Sequence, residues 1–312
     1  MLCLRVRKSS TVKATRLAAG VLSCCAVLPS AQGQTNTNDS VTVPVRIRHG
    51  DLLVETRING SEPLQFKVDT GFGVSILNPK WAEALHLEQV GHMGIVGIAG
   101  EEQAETYKGA VFDFGGKRYE PRRIAALPSE SRRRWRTRDG VLGAGFFRRF
   151  VVEIDLPGKR MTLHEPEKFV YQGKGEVIPI SFKTDTPIID AEIVPIEKPA
   201  IKGRFEIDTG CDDYVCLAHE FVVANHLLEG TDSSDNDARR GVGGSAEIRS
   251  GKLAELRMGG LTLKKPSANF FLEGSPAGEG QAGHIGLGAL EKHKVIFDYS
   301  RMRMILEQSS ND

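Results

Sequence analysis

At 312 residues the chain is long enough for two domains of ordinary size, each with its own core. Its 41 Lys plus Arg nearly balance 40 Asp plus Glu, which argues against a nucleic-acid partner or an acidic surface. The 34 glycines suit a turn-rich β architecture, and the composition is otherwise that of a soluble globular protein.

Residues 1–33 differ from the rest. Arg5, Arg7, Lys8, Lys13 and Arg16 precede a short apolar run, Leu17 to Leu28, and Ala31-Gln32-Gly33 then offers small residues where a signal peptidase reads. The run is too short for a lasting membrane anchor, so residues 1–33 are expected to be a signal peptide that sends the protein to the periplasm or outside the cell. Val21-Leu22-Ser23-Cys24 resembles a lipoprotein cleavage box, with Leu22 a poor fit, so lipidation at Cys24 is the alternative and the one route to a membrane. Cleavage after Gly33 leaves only Cys211 and Cys216. Taken five positions apart on one strand, they would face opposite ways, and no disulfide is expected.

A polar linker, 34–40, leads into the strands. Val41 to Arg48 and Leu52 to Ile58 alternate apolar and polar residues around a turn at His49-Gly50-Asp51. Asn59-Gly60 turns the chain into Leu64 to Val68, which ends in Asp69-Thr70-Gly71. Val74 to Leu77 reads as a strand and Pro79 to His86 as one or two helical turns. Gly97-Ile98-Ala99-Gly100 is a glycine-rich tip between apolar flanks, which suits a mobile hairpin; no Gly-Lys-Ser/Thr context supports a phosphate loop. Five arginines crowd Arg132 to Arg138 around Trp135, either a solvated loop or an electropositive rim. Phe150 to Ile154 and Arg160 to Leu163 close a first lobe, 41–165, and 166–175 is punctuated like a linker.

Residues 176–308 repeat this order. Phe205-Glu206-Ile207-Asp208-Thr209-Gly210 answers Phe66-Lys67-Val68-Asp69-Thr70-Gly71 at an offset of 139 positions. Gly241-Val242-Gly243-Gly244 answers the first glycine-rich tip at 144, and Gly140, Gly143, Gly145, Asp155, Arg160, Met161 and Leu163 meet residues 143 positions later. The predicted architecture is all-β: two homologous lobes related by a pseudo-two-fold axis. Such an axis brings equivalent points together, and the ionisable residues at a tight glycine turn in both copies are Asp69 and Asp208. Two carboxyls within hydrogen-bond reach cannot both ionise cheaply, so the pair shares one proton and offers both a base for water and an acid for a carbonyl oxygen.

These motifs resemble the aspartic proteases of the pepsin and retropepsin clan, and most nearly the exported bacterial retropepsin-like enzymes. Val141-Leu142-Gly143 and, less well, His284-Ile285-Gly286 match the clan's two apolar residues and glycine, and the similarity covers nearly all of the chain after residue 33. It implies an aspartic endopeptidase with Asp69 and Asp208 as catalytic dyad and no metal or organic cofactor. Thr70 and Thr209 would interlock across the lobes, with Gly71 and Gly210 permitting the close approach. Two flaps, Gly97, Ile98, Ala99 and Gly100 with Gly241, Val242, Gly243 and Gly244, would close over an extended peptide or protein substrate. Duplication within the chain makes a monomer sufficient.

The sequence departs from the pattern after each Asp-Thr-Gly. A small residue and then Ser or Thr are usual, the hydroxyl bonding the outer oxygen of the catalytic Asp; here Phe72-Gly73 and Cys211-Asp212-Asp213 stand instead. Asp212 is expected as a third carboxylate near the dyad, donating the missing hydrogen bond when protonated and opposing ionisation of Asp208 when charged. A peptide-binding module that no longer cuts is the alternative. Cys211, Cys216, His219 and His226, near Asp212 and Asp213, fit no common zinc spacing, and no metal site is assigned. His284 stands where an apolar residue normally packs, either as a structural histidine or as a group of the cleft.

Overall fold

Strand Asp51–Ile58 shows how the sequence pattern becomes structure. Glu55 and Arg57 point to solvent while Thr56 and Ile58 point inward, and Leu52, Leu53 and Val54 are buried on both faces. The computed structural model describes residues 40–98, 100–127, 138–183, 185–229 and 236–308. The expected signal peptide, nearly all of the 34–40 linker, Ala99 and residues 132–137 of the arginine run lie outside the described residues. Among the described residues no helix is long and apolar enough to cross a membrane.

The same strand order is built twice. In the first half Leu64–Val68 lies between Asp51–Ile58, antiparallel, and Gly140–Leu142, parallel; Ile76–Leu77 and then Ile124–Ala126 follow outward. In the second half Ile201–Asp208 lies between Pro187–Val194, antiparallel, and Gly283–Gly286, parallel; Val215–Leu217 and then Ser267–Phe271 follow. The architecture is therefore nearly all β and two-lobed, as the repeat predicts.

A six-strand layer joins the halves. Its order is Glu176–Pro179, Arg303–Gln308, His293–Asp298, Val151–Asp155, Arg160–His164 and Ser40–Arg48, with Val152 opposite Phe297 where the halves meet. Pro44 and Pro179 sit where a strand leaves this layer for its own lobe. Proline has no N–H to give to a ladder, so it marks such a departure well. The next residue resumes pairing in both copies: Val45 N–H donates to the Lys159 carbonyl and Ile180 N–H to that of Met302 (both 3.0 Å). Beneath the layer, Phe147 packs on Phe297 and Tyr299 with ring centroids 5.4 and 5.6 Å away, in a core continuous through both halves.

Three short α-helices occur among the described residues. Pro79–Ala84 is the expected one, with Asn78 Oδ1 accepting from the Lys80 N–H (3.3 Å). His219–Ala224 occupies the matching place in the second half. Ala144–Arg149 fills the interval before Val151–Asp155; it buries Ala144, Phe146 and Phe147 and, at six residues, is too short to show a helical period in the sequence.

At the centre the halves are tied by backbone and threonine. Thr209 Oγ1 accepts from the Thr70 N–H (3.1 Å) and donates to the Val68 carbonyl (2.9 Å). Thr70 Oγ1 reciprocates, accepting from the Thr209 N–H (3.0 Å) and donating to the Ile207 carbonyl (2.6 Å). Both threonines are buried, so each hydroxyl satisfies a donor and an acceptor that water cannot reach. Thr209→Val keeps the shape but strands the Thr70 N–H and the Val68 carbonyl. The expected loss is about 1–3 kcal/mol in urea unfolding, largely restored by Thr209→Ser. An unchanged midpoint for the valine variant would contradict this role for the interlock.

Candidate active site

The threonine interlock brings the two Asp-Thr-Gly turns face to face. Asp69 Oδ1 accepts from the Gly71 N–H (3.0 Å), and Asp208 Oδ1 accepts from the Gly210 N–H (2.8 Å). Each glycine also lies against the opposite carboxyl. A Cβ on Gly71 would sit 2.6 Å from Asp208 Oδ1, and one on Gly210 would sit 2.0 Å from Asp69 Oδ2. Only glycine leaves room for the two carboxyls to approach. They share a hydrogen bond, and burial together with the Asp208 charge pushes Asp69 up to about 8, against the pull of Lys67. The Asp69 side chain is 5 % exposed and that of Asp208 19 %, so the second faces the cleft more openly.

Their surroundings differ in charge. Lys67 Nζ is 3.9 Å from Asp69 Oδ2, pairs with Asp51 Oδ1 at 2.9 Å, and donates to the Gly210 carbonyl. Arg138, the described end of the arginine run, reaches Asp51 Oδ2. Burial acts to raise the Asp51 carboxyl, but Lys67 and Arg138 outweigh it and hold Asp51 below its ordinary value. On the other side His284 Nδ1 is 3.6 Å from Asp208 Oδ2. Burial opposes charge on His284, yet Cys211, Asp208 and Glu206 push it up to about 10. Glu206, two residues before Asp208, is itself pushed up to about 7 by burial and by Asp208. The oxygen not bound by glycine thus faces a basic group in each half, Lys67 in one and His284 in the other.

Lys67 and Glu206 are absent from the sequence-derived set. They occupy matching places in the two repeats, and a charged pair of opposite sign inside two otherwise apolar strand motifs is the signal that marks them. Asp212 lines the same cleft as Asp69 and Asp208. It is exposed, and its carboxylate lies where a Cβ on Gly50 would meet it, in the turn between the first two strands, while Glu206 is the further carboxyl beside Asp208. The single-strand reading of Cys211 and Cys216 is corrected. Cys211 belongs to the turn after Gly210 and Cys216 to strand Val215–Leu217, so the two free thiols converge instead of facing apart. Neither His219 nor His226 joins them: His219 Nδ1 faces the Phe271 carbonyl (3.4 Å), and His226 pairs with Glu229 at the surface.

Two hairpins cover the Asp pair, Glu88–Gly97 with Gly100–Lys108, and Asn236–Gly241 with Gly244–Lys252. Their tips cross. Val242 packs into the first-lobe cluster of Ile76, Ile95 and Val141, and Ile98 packs against the second-lobe cluster of Cys216, Ala246 and Phe271. Gly243 N–H donates to Glu102 Oε1 (3.0 Å), and Gly243, at φ +83°, touches the Gly100 backbone so closely that a Cβ there would lie 2.4 Å from Gly100 N. Gly97 lies against Val242, Gly100 against Gly243 and Gly241 against Ile98, while Gly244 pairs with Gly241 within its own hairpin. Below it runs a cleft of about 1730 Å³ whose lining includes Asp69, Asp208, Phe72, Asp185, Ser275 and Arg240. Its volume and mixed lining suit an extended chain better than a small compact ligand.

Residues 54–146 match the sequence profile of a family described as aspartyl protease. No curated protein sequence matches the chain. Among solved structures, the crystal structure of aspartic proteinase from Irpex lacteus is similar, at TM-score 0.57 and 14% identity, over 87% of this chain and 98% of that one. The chain therefore has the two-lobed pepsin-like fold, and its first lobe carries the aspartyl protease family's sequence pattern around Asp69.

Proposed function

We propose that the protein is an aspartic endopeptidase in which Asp69 and Asp208 together activate water against a peptide bond. The observation that carries this reading is the close approach of the two carboxyls, Asp69 buried and Asp208 open to the cleft, beneath crossed hairpins. In the singly protonated pair the carboxylate takes a proton from water as its oxygen adds to the peptide carbonyl carbon, and the carboxyl gives its proton to the carbonyl oxygen. The tetrahedral diol then collapses: a diol proton returns to the dyad, the amide nitrogen is protonated, and the C–N bond breaks to give an acid and an amine. The hairpins at Gly97 to Gly100 and Gly241 to Gly244 pair with the substrate as added strands and must part to admit it. Residues 1–33 direct the chain out of the cytoplasm, and one chain supplies both halves of the site.

A second reading, a module that binds extended peptide without cutting it, is favoured by the lack of a hydroxyl donor at Gly73 and Asp212. Incubation with an unfolded protein between about pH 3 and 8, followed by mass spectrometry of the fragments, separates the two. Hydrolysis is expected, and Asp69→Asn or Asp208→Asn should lower its rate by about a thousandfold or more, since neither pair can hold the single shared proton as acid and base. Retention of peptide binding with no fragments at any pH would favour the module.

The pH dependence follows from the charges around the pair. Activity requires one proton on the dyad and is lost as pH rises through the upper dissociation, which lies near 8 for Asp69. Lys67 favours the ionised form, so Lys67→Met should move the alkaline limb of kcat/KM to higher pH. A limb that stays fixed or moves down would show that Lys67 does not act on the dyad.

A further inference from the structure

The two halves differ most behind their Asp-Thr-Gly turns, at positions that register makes equivalent. In the first half Val141 lies opposite both Lys67 and Ile76, and Ile76 lies opposite Ala125. In the second half His284 lies opposite both Glu206 and Cys216, and Cys216 lies opposite Asn269. Phe72 closes the apolar set in the first turn; Cys211 stands at its place in the second. The first half shows that apolar packing satisfies the fold at these positions. The second half puts two thiols and an imidazole there, so packing alone does not account for them.

The geometry points to a Zn²⁺ site formed by Cys211, Cys216 and His284, with Asp213 beside the two sulfurs. One ligand atom from each of the first three lies within 4.8 Å of the others. Asp213 Oδ2 is 3.5 Å from both sulfurs. Tetrahedral zinc with bonds of 2.0–2.3 Å needs its ligands about 3.3–3.8 Å apart, which a contraction of the two thiols and the imidazole by up to about 1 Å provides. Outer contacts suit the arrangement. Arg239 holds the other Asp213 oxygen at 2.5 Å, and Asn269 Nδ2 donates to Cys216 Sγ at 3.7 Å, as groups around a thiolate ligand do. His284 is 5 % exposed and its Nε2 is buried without an oxygen or nitrogen partner among the described residues; the imidazole's neighbour is the Cys211 thiol, a pairing that a zinc ion would share. The spacing of the cysteines alone conceals such a site, because the imidazole arrives from 68 positions beyond Cys216 and through sheet register. Bound there, zinc ties the turn after Asp208 to the central strands of its lobe, as Phe72, Ile76 and Val141 tie the turn after Asp69.

The test is cobalt substitution in the full, reduced chain after chelation. Co²⁺ should bind with a thiolate-to-cobalt charge-transfer band and tetrahedral ligand-field absorption, and one equivalent of Zn²⁺ should bleach both. Cys216→Ile with His284→Val copies the apolar first half; it should keep its circular dichroism, lose the band, and bind zinc about a hundredfold or more weakly. Replacing Cys3, Cys24 and Cys25 by serine should leave the band intact. Asp69→Asn should also keep it while losing peptide hydrolysis, which separates this site from the proposed protease chemistry. Folded wild-type protein without a thiolate band, or an unaltered band in the double variant, would overturn the site.

Discussion

Two carboxyls held side by side in a buried space cannot both be charged, and the centre of the molecule is arranged around that constraint. The approach depends on the absence of a side chain at Gly71 and Gly210, each pressed against the carboxyl of the other half. It is fixed by reciprocal threonine hydroxyls, which satisfy the N–H groups of Thr70 and Thr209 and the carbonyls of Val68 and Ile207. The strands on either side, Leu64–Val68 and Ile201–Asp208, are each clamped between an antiparallel and a parallel neighbour, so neither turn can shift without disturbing a lobe. Local glycine, interlobe hydrogen bonds and sheet register thus serve one geometry.

The symmetry of that geometry is backbone symmetry. Its electrostatics are unequal: a lysine paired with an aspartate on one side, an imidazole between two carboxyls and two thiols on the other. Lys67 lowers the cost of charge on Asp69, and His284 answers the charge on Asp208. Gly73 and Asp212 withhold the hydroxyls that would ordinarily reach the outer oxygens, and basic groups from the strands stand nearby instead. The same backbone plan therefore carries a different charge environment behind each carboxyl.

Much of this was legible before any coordinate. The all-β class, the two halves and the meeting of the two Asp-Thr-Gly turns follow from one repeat whose order and offsets leave few arrangements open. What the chain conceals is what depends on which face a side chain takes. Lys67 between Phe66 and Val68 reads as the outward residue of an alternating strand, yet parallel pairing with Gly140–Leu142 helps bury that face as well. The thiols of Cys211 and Cys216 would diverge if placed on one strand and converge once a turn separates them. Asp212 is adjacent to the motif in sequence but lies toward Gly50 in space, while Glu206 is brought close by register. Helix Ala144–Arg149 buries Ala144, Phe146 and Phe147 and is too short, at six residues, to show a helical period in the sequence.

The rest turns on the proton that Asp69 keeps beside the Asp208 carboxyl. Carbon-13 NMR of carboxyl-labelled aspartate, followed through a pH titration of the folded protein, reads it without reference to any substrate. A coupled pair requires an aspartate carboxyl that holds its proton until pH approaches about 8, and requires that feature to fall toward the ordinary range in Asp208→Asn. An Asp69 carboxyl that titrates near the usual aspartate value, in wild type and variant alike, would contradict it.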